Sequence, residues 1–240
     1  MRAAHLTHFR YMLFIIMLTM LPVNSAYAQR DRVSRGGGAT LCSDEEPKVI
    51  VKLATSPTKY YKNYDARSIN AIHNAKGGGT ILGLAGGPLE IETRGQFSIR
   101  TLNGKACVQI KNIEVMLWTK PAIIIASNFK KGTCEYREVF AHEQRHIRTT
   151  RKFVREYAPK LRSEVKEIIR TSRHHIIARQ DRIEDAQEEL QKPILGRISQ
   201  FQNKIMPVLQ SRQAAIDTPE EYKKVSDKCE DWGKRLAEGG

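Results

Sequence analysis

Three features are scarce or missing in this 240-residue sequence, and each excludes a class of protein. There is no Cys-X-X-Cys pair, which argues against a zinc site built from cysteines. The longest largely apolar run, residues 11–21, is shorter than the roughly 20 residues that cross a bilayer comfortably. Aromatic residues make up 7% of the chain and do not alternate with the basic ones, so the sequence predicts no nucleic-acid partner.

Acidic residues are also few relative to basic ones. The chain has 40 Lys and Arg against 26 Asp and Glu, a net charge of +14. Most of the basic side chains fall on the polar faces of predicted helices, where they would be solvated. Such an excess attracts anionic surfaces, so we expect a cell-envelope surface as a possible partner.

The first 28 residues have the pattern of a secretory signal peptide. Arg2 and Arg10 precede the apolar run, and Ala26-Tyr27-Ala28 provides a small-X-small cleavage site. We predict cleavage after Ala28, which gives a periplasmic or secreted protein with a net charge of +12, because two arginines and no acid are removed. An uncleaved membrane anchor is the alternative.

Four cysteines, Cys42, Cys107, Cys134 and Cys229, follow the predicted cleavage site. An even number in an exported chain predicts two disulfides, for which three connectivities exist. A Cys134–Cys229 bridge is mildly favoured, since it would fasten the C-terminal helix to the start of the motif helix described below.

The hydrophobic patterns predict an α+β fold, in which a small, mostly antiparallel N-terminal sheet packs on one central helix and long C-terminal helices follow. The predicted organisation is a flexible leader (29–47), a catalytic domain (48–180) and a C-terminal helical extension (181–240). Residues 94–126 alternate as strands, with a slip in phase at Lys111 and Asn112 that indicates a bulge. Asp65 is expected to cap a short helix, and Pro193 to interrupt a later one.

The central helix carries the sequence His142-Glu143-Gln144-Arg145-His146, an HExxH motif. Two histidines four residues apart lie one turn apart on the same helical face, where they can provide two ligands to Zn²⁺. Projection of residues 134–157 at about 100° per residue places Glu143 as the one acid on the inward side. A buried carboxylate needs a partner, and a metal ion with bound water would provide one. Two core histidines beside a salt-bridged Glu143 are the alternative.

Two histidines do not complete a catalytic zinc site, which normally has a third protein ligand. Thr149 and Lys152 stand where the metzincin pattern needs Gly and His, so that pattern is excluded. Glu164 could serve if the chain reversed at Pro159. If the helix merely kinks there, Glu164 lies about 27 Å from His146 and cannot bind. Other candidates are then His73, Asp65, Glu90, Glu92, His175 and Asp227.

The apolar segment 117–126, just before the motif helix, is a candidate for binding substrate. Edge strands in this position of zinc peptidases bind the substrate backbone by strand addition. An ordinary internal strand is the equally acceptable interpretation.

Several of these elements occur together in one family. The signal peptide, the strand that opens with Gly104-Lys105-Ala106-Cys107, the strand containing Pro121 and the helix with HEQRH resemble exported bacterial zinc-dependent proteases that form a domain of unknown function. The resemblance covers residues 48–170. It implies a zincin-like peptidase with His142 and His146 as metal ligands and Glu143 as the general base.

The function expected from the sequence is therefore hydrolysis of a peptide or amide bond, with Zn²⁺ activating water and Glu143 as base. Protein or peptide would be the substrate. One alternative is a non-catalytic cell-envelope adaptor in which HExxH is structural or vestigial. Another is an amidase acting on cell-wall peptides, which shares the chemistry and differs in substrate.

Overall fold

The computed structural model describes residues 41–73 and 80–238, which form a mixed α+β structure. The predicted signal peptide and the glycine run at 77–79 lie outside this part of the chain. No helix in the described part is long and apolar enough to cross a membrane. The elements are β1 (Lys48–Thr55), β2 (Lys59–Tyr61), α1 (Ala66–His73), β3 (Gly83–Gly86), β4 (Leu89–Leu102), β5 (Lys105–Thr119), β6 (Ala122–Ile125), α2 (Cys134–Thr171), β7 (His175–Arg179), α3 (Ile183–Ala214), α4 (Pro219–Ser226) and α5 (Trp232–Glu238).

The larger sheet is organised around β5, which pairs with β4 along one side. On the other side, β1 runs parallel to its second half and β7 antiparallel to its first. The pairing of β4 with β5 shifts between Gln96 and Phe97, which leaves Lys111 as an extra residue on β5. This bulge confirms the predicted slip in phase, and it keeps Val108 and Ile110 on the same buried face as Ile113 and Val115.

The smaller sheet has the order β2-β6-β3, so β6 is its central strand. The prediction that segment 117–126 provides an edge strand is therefore wrong. Thr119 ends the central strand of the larger sheet, and residues 122–125 are hydrogen-bonded on both sides. In this strand Ile123 and Ile125 are buried in the core, whereas Ala122 and Ile124 on the opposite face are half-buried. The edge that lies beside α2 belongs to β3.

The motif helix α2 begins at the N-cap Thr133, whose hydroxyl accepts a hydrogen bond from the backbone N–H of Tyr136. It continues through Pro159 to Thr171 without reversal. Apolar residues on both sides of the proline, among them Val154 and Leu161, are buried in one core and hold the helix together. One detail of the projection is wrong: Glu135 is buried as well as Glu143.

Helix α3 runs back along α2, and both pack on one face of the larger sheet. The core contains Phe153, Leu161 and Val165 from α2 together with Leu190, Ile198 and Ile205 from α3. The predicted interruption at Pro193 does not occur, since α3 contains both Pro193 and Pro207. The preceding β7 is a strand in a region that the sequence patterns predict as helical. Pairing with β5 outweighs the local helical pattern there.

Two disulfides join distant parts of the chain. Cys42–Cys107 ties the segment before β1 to β5, and Cys134–Cys229 ties the start of α2 to the segment after α4. The second bridge confirms the favoured connectivity, and no described cysteine is free. Disulfides of this kind are typical of proteins in a non-reducing, extracellular environment.

Candidate metal centre

Three side chains meet where the end of α3 reaches the motif helix. The Nε2 atoms of His142 and His146 lie 3.2 Å apart, and Oδ1 of Asp217 lies 3.1 Å from each. Both histidines are buried, whereas the Asp217 side chain is 38% exposed. Among the described residues this is the one group of three or more His, Cys, Asp or Glu placed closely enough to hold a metal ion.

The dimensions of this triangle suit a metal ion. Zinc bound to imidazole nitrogen and carboxylate oxygen has bonds of about 2.0–2.1 Å, and tetrahedral geometry then separates the ligand atoms by about 3.3 Å. The three observed separations are within about 0.2 Å of that value. A cation held by these side chains would have three protein ligands, which would leave a fourth position for water.

His146 is oriented for metal binding by Gln213, near the end of α3. Its Nδ1 lies 2.7 Å from Oε1 of Gln213, an atom that can only accept, so Nδ1 carries a hydrogen. When the ring is neutral, Nε2 therefore presents its lone pair to the site, and when it is protonated Nε2 donates to Asp217. The amide nitrogen of Gln213 donates to the His146 carbonyl and to the Thr150 hydroxyl. Such an outer hydrogen bond fixes both the tautomer and the ring orientation of a ligand.

His142 has a different outer partner. Nη2 of Arg145 donates to its Nδ1 over 2.9 Å, which places the ring hydrogen on Nε2. Coordination through Nε2 needs the other tautomer, so the guanidinium has to leave Nδ1 when a metal binds. Arg145 has a second partner already in contact, the carboxylate of Glu221. A small movement of the guanidinium toward Glu221 would therefore be enough to release Nδ1 of His142.

Asp217 precedes α4 and is hydrogen-bonded to His142 and His146, the two residues with which it would share the metal. Burial opposes ionisation, but hydrogen bonds from His142, His146 and Tyr222 lower the pKa of Asp217 below its usual range. Tyr222 donates its hydroxyl to Oδ1 over 3.0 Å, and burial together with Asp217 raises the pKa of Tyr222. The Tyr222 ring lies 5.6 Å from that of His142. Asp217 is thus available as an ionised ligand.

Glu143 is buried beside the two histidines, against β3. Burial raises its pKa to about 7, although His142, His146 and a hydrogen bond from the Ala85 backbone act in the opposite direction. Burial likewise opposes protonation of His146, but its hydrogen bonds to Asp217 and Gln213 raise its pKa. A metal ion that binds His146 would have to displace this proton, so metal affinity should fall at low pH.

The close approach of β3 to Glu143 depends on Gly83. A Cβ at this position would lie 2.6 Å from Oε1 of Glu143 and 2.6 Å from Cγ1 of Val139. Only glycine therefore allows the strand to lie directly on this turn of α2.

Among the described side chains, none of the predicted third ligands belongs to this group, and the side chain of His73 lies outside the described residues. Glu164 lies 18 residues beyond His146 on the same continuous helix. The chain does not reverse at Pro159, so Glu164 cannot reach the site. Asp65 caps α1, Asp227 pairs with Lys223, and His175 starts β7. Glu90 and Glu92 lie in β4, and His73 is the last residue of α1.

Sequence reasoning missed Asp217. The usable signal is the length of two helical segments. About 25 residues of α2 follow His146, and α3 is long enough to cover the same distance on its return. An acid just beyond the end of α3 therefore arrives next to the motif.

Comparison of the chain with protein-family models, with curated proteins and with solved structures gave no match.

Proposed function

We propose that this protein is an exported zinc-dependent metallopeptidase, with His142, His146 and Asp217 as metal ligands and Glu143 as general base. The observation that carries the proposal is the triangle of three ligand atoms beside a buried carboxylate. Histidine and carboxylate ligands with an open position are the arrangement of catalytic rather than structural zinc.

The proposal includes a zincin-like architecture. An HExxH helix lies against a sheet whose edge strand runs beside the motif, which agrees with the resemblance to exported zinc-dependent proteases. Two disulfides and a signal-peptide pattern support action outside the cytoplasm.

The chemistry proposed for the site divides the work among the metal, Glu143 and Tyr222. Zn²⁺ bound there would act as a Lewis acid and lower the pKa of water toward neutrality. Glu143 takes the proton of the attacking water and returns it to the leaving amine. Tyr222, which is 52% exposed, can turn from Asp217 and donate its hydroxyl to the substrate carbonyl oxygen.

The edge of β3 that does not pair with β6 is the proposed binding site of the substrate backbone. The backbone N–H of Ala126 donates to the carbonyl of Leu82, so the alternate residues Gly83 and Ala85 direct their backbone groups away from β6. A peptide added there would run beside Glu143.

Replacement of Glu143 tests the assignment. The Glu143→Gln protein should keep about one zinc per chain, because no ligand is lost, and should lose roughly 100-fold or more of its turnover, the usual contribution of a general base. Zinc is measured by elemental analysis and turnover with denatured protein as substrate. Hydrolysis at the wild-type rate would refute the role of Glu143.

The matched control is Glu164→Gln, which removes an acid from the same helix far from the site and should change neither quantity. A wild-type protein that is folded but binds no zinc and cleaves nothing would favour the non-catalytic adaptor instead. Turnover of cell-wall peptides but not of denatured protein would identify the amidase.

A further inference from the structure

A cavity with both polar and apolar lining residues lies on the other side of the motif helix from the metal centre. It has a volume of about 260 Å³ and is lined mainly by Thr58, Tyr60, Ile123, Gln144, Arg148 and Arg151. At about 100° per residue, Gln144, Arg148 and Arg151 point almost opposite to His142 and His146. This cavity, the arginine pocket, is therefore not part of the metal centre.

The charge of the arginine pocket is entirely positive. Arg148 and Arg151 lie one turn apart on α2, and no carboxylate is among the lining residues. Within residues 41–73 and 80–238 neither arginine forms a salt bridge. Other described arginines do have acidic partners, as in Arg145–Glu221, Arg170–Glu167 and Arg212–Glu156. Arg148 and Arg151 therefore keep their full positive charge available to a ligand.

Arg151 is held in place but is not fully paired. Its Nη2 donates to the Thr58 hydroxyl over 3.1 Å, which fixes the side chain against the segment before β2. Its Nε is buried and has no acceptor among the described residues. A buried donor without an acceptor is costly, so a water or an anion oxygen bound at this position would stabilise the guanidinium.

We propose that the arginine pocket binds a phosphate group. Two guanidinium groups can each donate in parallel to oxyanion oxygens, and Gln144 and Tyr60 add polar side chains to the cavity lining. The cavity is larger than one phosphate, so the group can carry a small substituent. It can come from free phosphate or from a phospholipid headgroup, and the two sources need separate tests.

The test is calorimetric titration of the purified chain, without its predicted signal peptide, with inorganic phosphate. The Arg148→Gln/Arg151→Gln protein should bind phosphate about tenfold more weakly or worse, because charge-assisted hydrogen bonds are lost. The control is Lys152→Gln/Arg155→Gln, which removes the same charge from the same helix outside the pocket. It should bind within about twofold of wild type, since only long-range attraction changes.

Folding is checked by circular dichroism and zinc content. The single Arg148→Gln change, at an exposed side chain, serves if the double variant does not fold, and it should weaken binding about threefold or more. Phosphate held by the metal ion would be unaffected by either pocket variant. That result, or equal weakening in pocket and control variants, or no saturable binding, would overturn the proposal.

A second arm uses vesicles containing phosphatidylglycerol. Vesicle binding that free phosphate displaces and that the pocket variant loses identifies the headgroup as the source. Binding of free phosphate without vesicle binding identifies the soluble anion. Vesicle binding that both double variants lose equally contradicts a specific pocket.

Discussion

The two motif histidines are not equivalent, although the motif presents them as a pair. Gln213 fixes His146 in the tautomer that a metal needs, whereas Arg145 holds His142 in the other. His146 is thus preorganised and His142 is not. Metal binding should therefore be coupled to a movement of Arg145 toward Glu221.

The role of Asp217 can be tested by an isosteric change. Asp217→Asn removes the anionic ligand and leaves the volume of the side chain almost unchanged. Zinc affinity should fall by more than the roughly 10- to 100-fold that follows loss of an outer partner. Competition with a chelator of known affinity measures it. Asp227→Asn, on the same segment and paired with Lys223, should retain wild-type affinity, and an equal loss there would contradict the assignment.

Glu143 predicts a pH dependence of stability in the metal-free protein. Its pKa is about 7 in the fold against an ordinary value of 4.5, so the folded state holds more protons between these values and stability falls as pH rises through that window. The cost, complete above pH 7, is at most roughly 3 kcal/mol. Glu143→Gln should remove it.

Urea unfolding in the presence of a chelator at pH 4 and pH 8 measures the effect. The Glu143→Gln protein should be more stable than wild type at pH 8 and equal to it at pH 4. Glu164→Gln should follow the wild-type dependence. If the free energy of unfolding of the wild type rose with pH relative to that of Glu143→Gln, the carboxylate would be favourably paired in the fold and this prediction would be wrong.

For individual site residues, the sequence predicted those that are close together along the chain and missed the one that is far away. His142, Glu143 and His146 lie together because helical geometry alone places them there. Asp217 arrives from 71 residues beyond His146, and no periodicity links the two positions. Glu135 was placed outside by the projection, but α5 covers it: its Oε2 lies 4.0 Å from Nε of Arg235.

Among the elements, the contact between β3 and α2 is the most closely fitted. Gly83→Ala should displace the Glu143 carboxylate, because the new Cβ would overlap its Oε1. We expect turnover to fall by about 100-fold, the usual effect of a misplacement near 1 Å, while zinc is retained. Gly86→Ala, whose Cβ would meet nothing within 4 Å, is the matched control.

Peptide hydrolysis and zinc content separate this effect from loss of the fold. An active Gly83→Ala protein would mean that β3 can move away from the helix, and that the general base is not held by this strand.

The elements themselves were predicted where one physical signal dominates. The bulge at Lys111 and the Asp65 cap of α1 follow from local patterns, and both are present. Position within a sheet was not predictable, because an apolar strand such as β6 has the same sequence at a centre or an edge. The proline at 193 was overweighted, since tertiary packing retains a helix that loses one backbone hydrogen bond. At Pro159 the helix runs on, which is one of the two alternatives that the sequence left open.

On the scale of the whole molecule, Cys134–Cys229 connects the segment that carries Asp217 to the start of the motif helix. Its removal in Cys134→Ser/Cys229→Ser should weaken zinc binding as well as stability, because the segment is then held only by non-covalent contacts. Disulfide loss from small exported domains costs about 2–5 kcal/mol in general. Chelator competition and urea unfolding measure the two effects.

Cys42→Ser/Cys107→Ser provides the comparison. This bridge joins the segment before β1 to β5 and touches neither α2 nor α4, so stability should fall while zinc affinity stays unchanged. Equal effects of the two bridges on zinc affinity would mean that the metal centre depends on global stability alone.

The late position of Asp217 has a further consequence for how the protein comes into being. A chain is synthesised from its N-terminus, so the HExxH helix exists long before its third ligand has left the ribosome. Nascent and C-terminally truncated chains carry the motif but cannot complete the triangle. A chain that has been synthesised only as far as the motif helix therefore lacks one of the three ligands of the proposed metal centre.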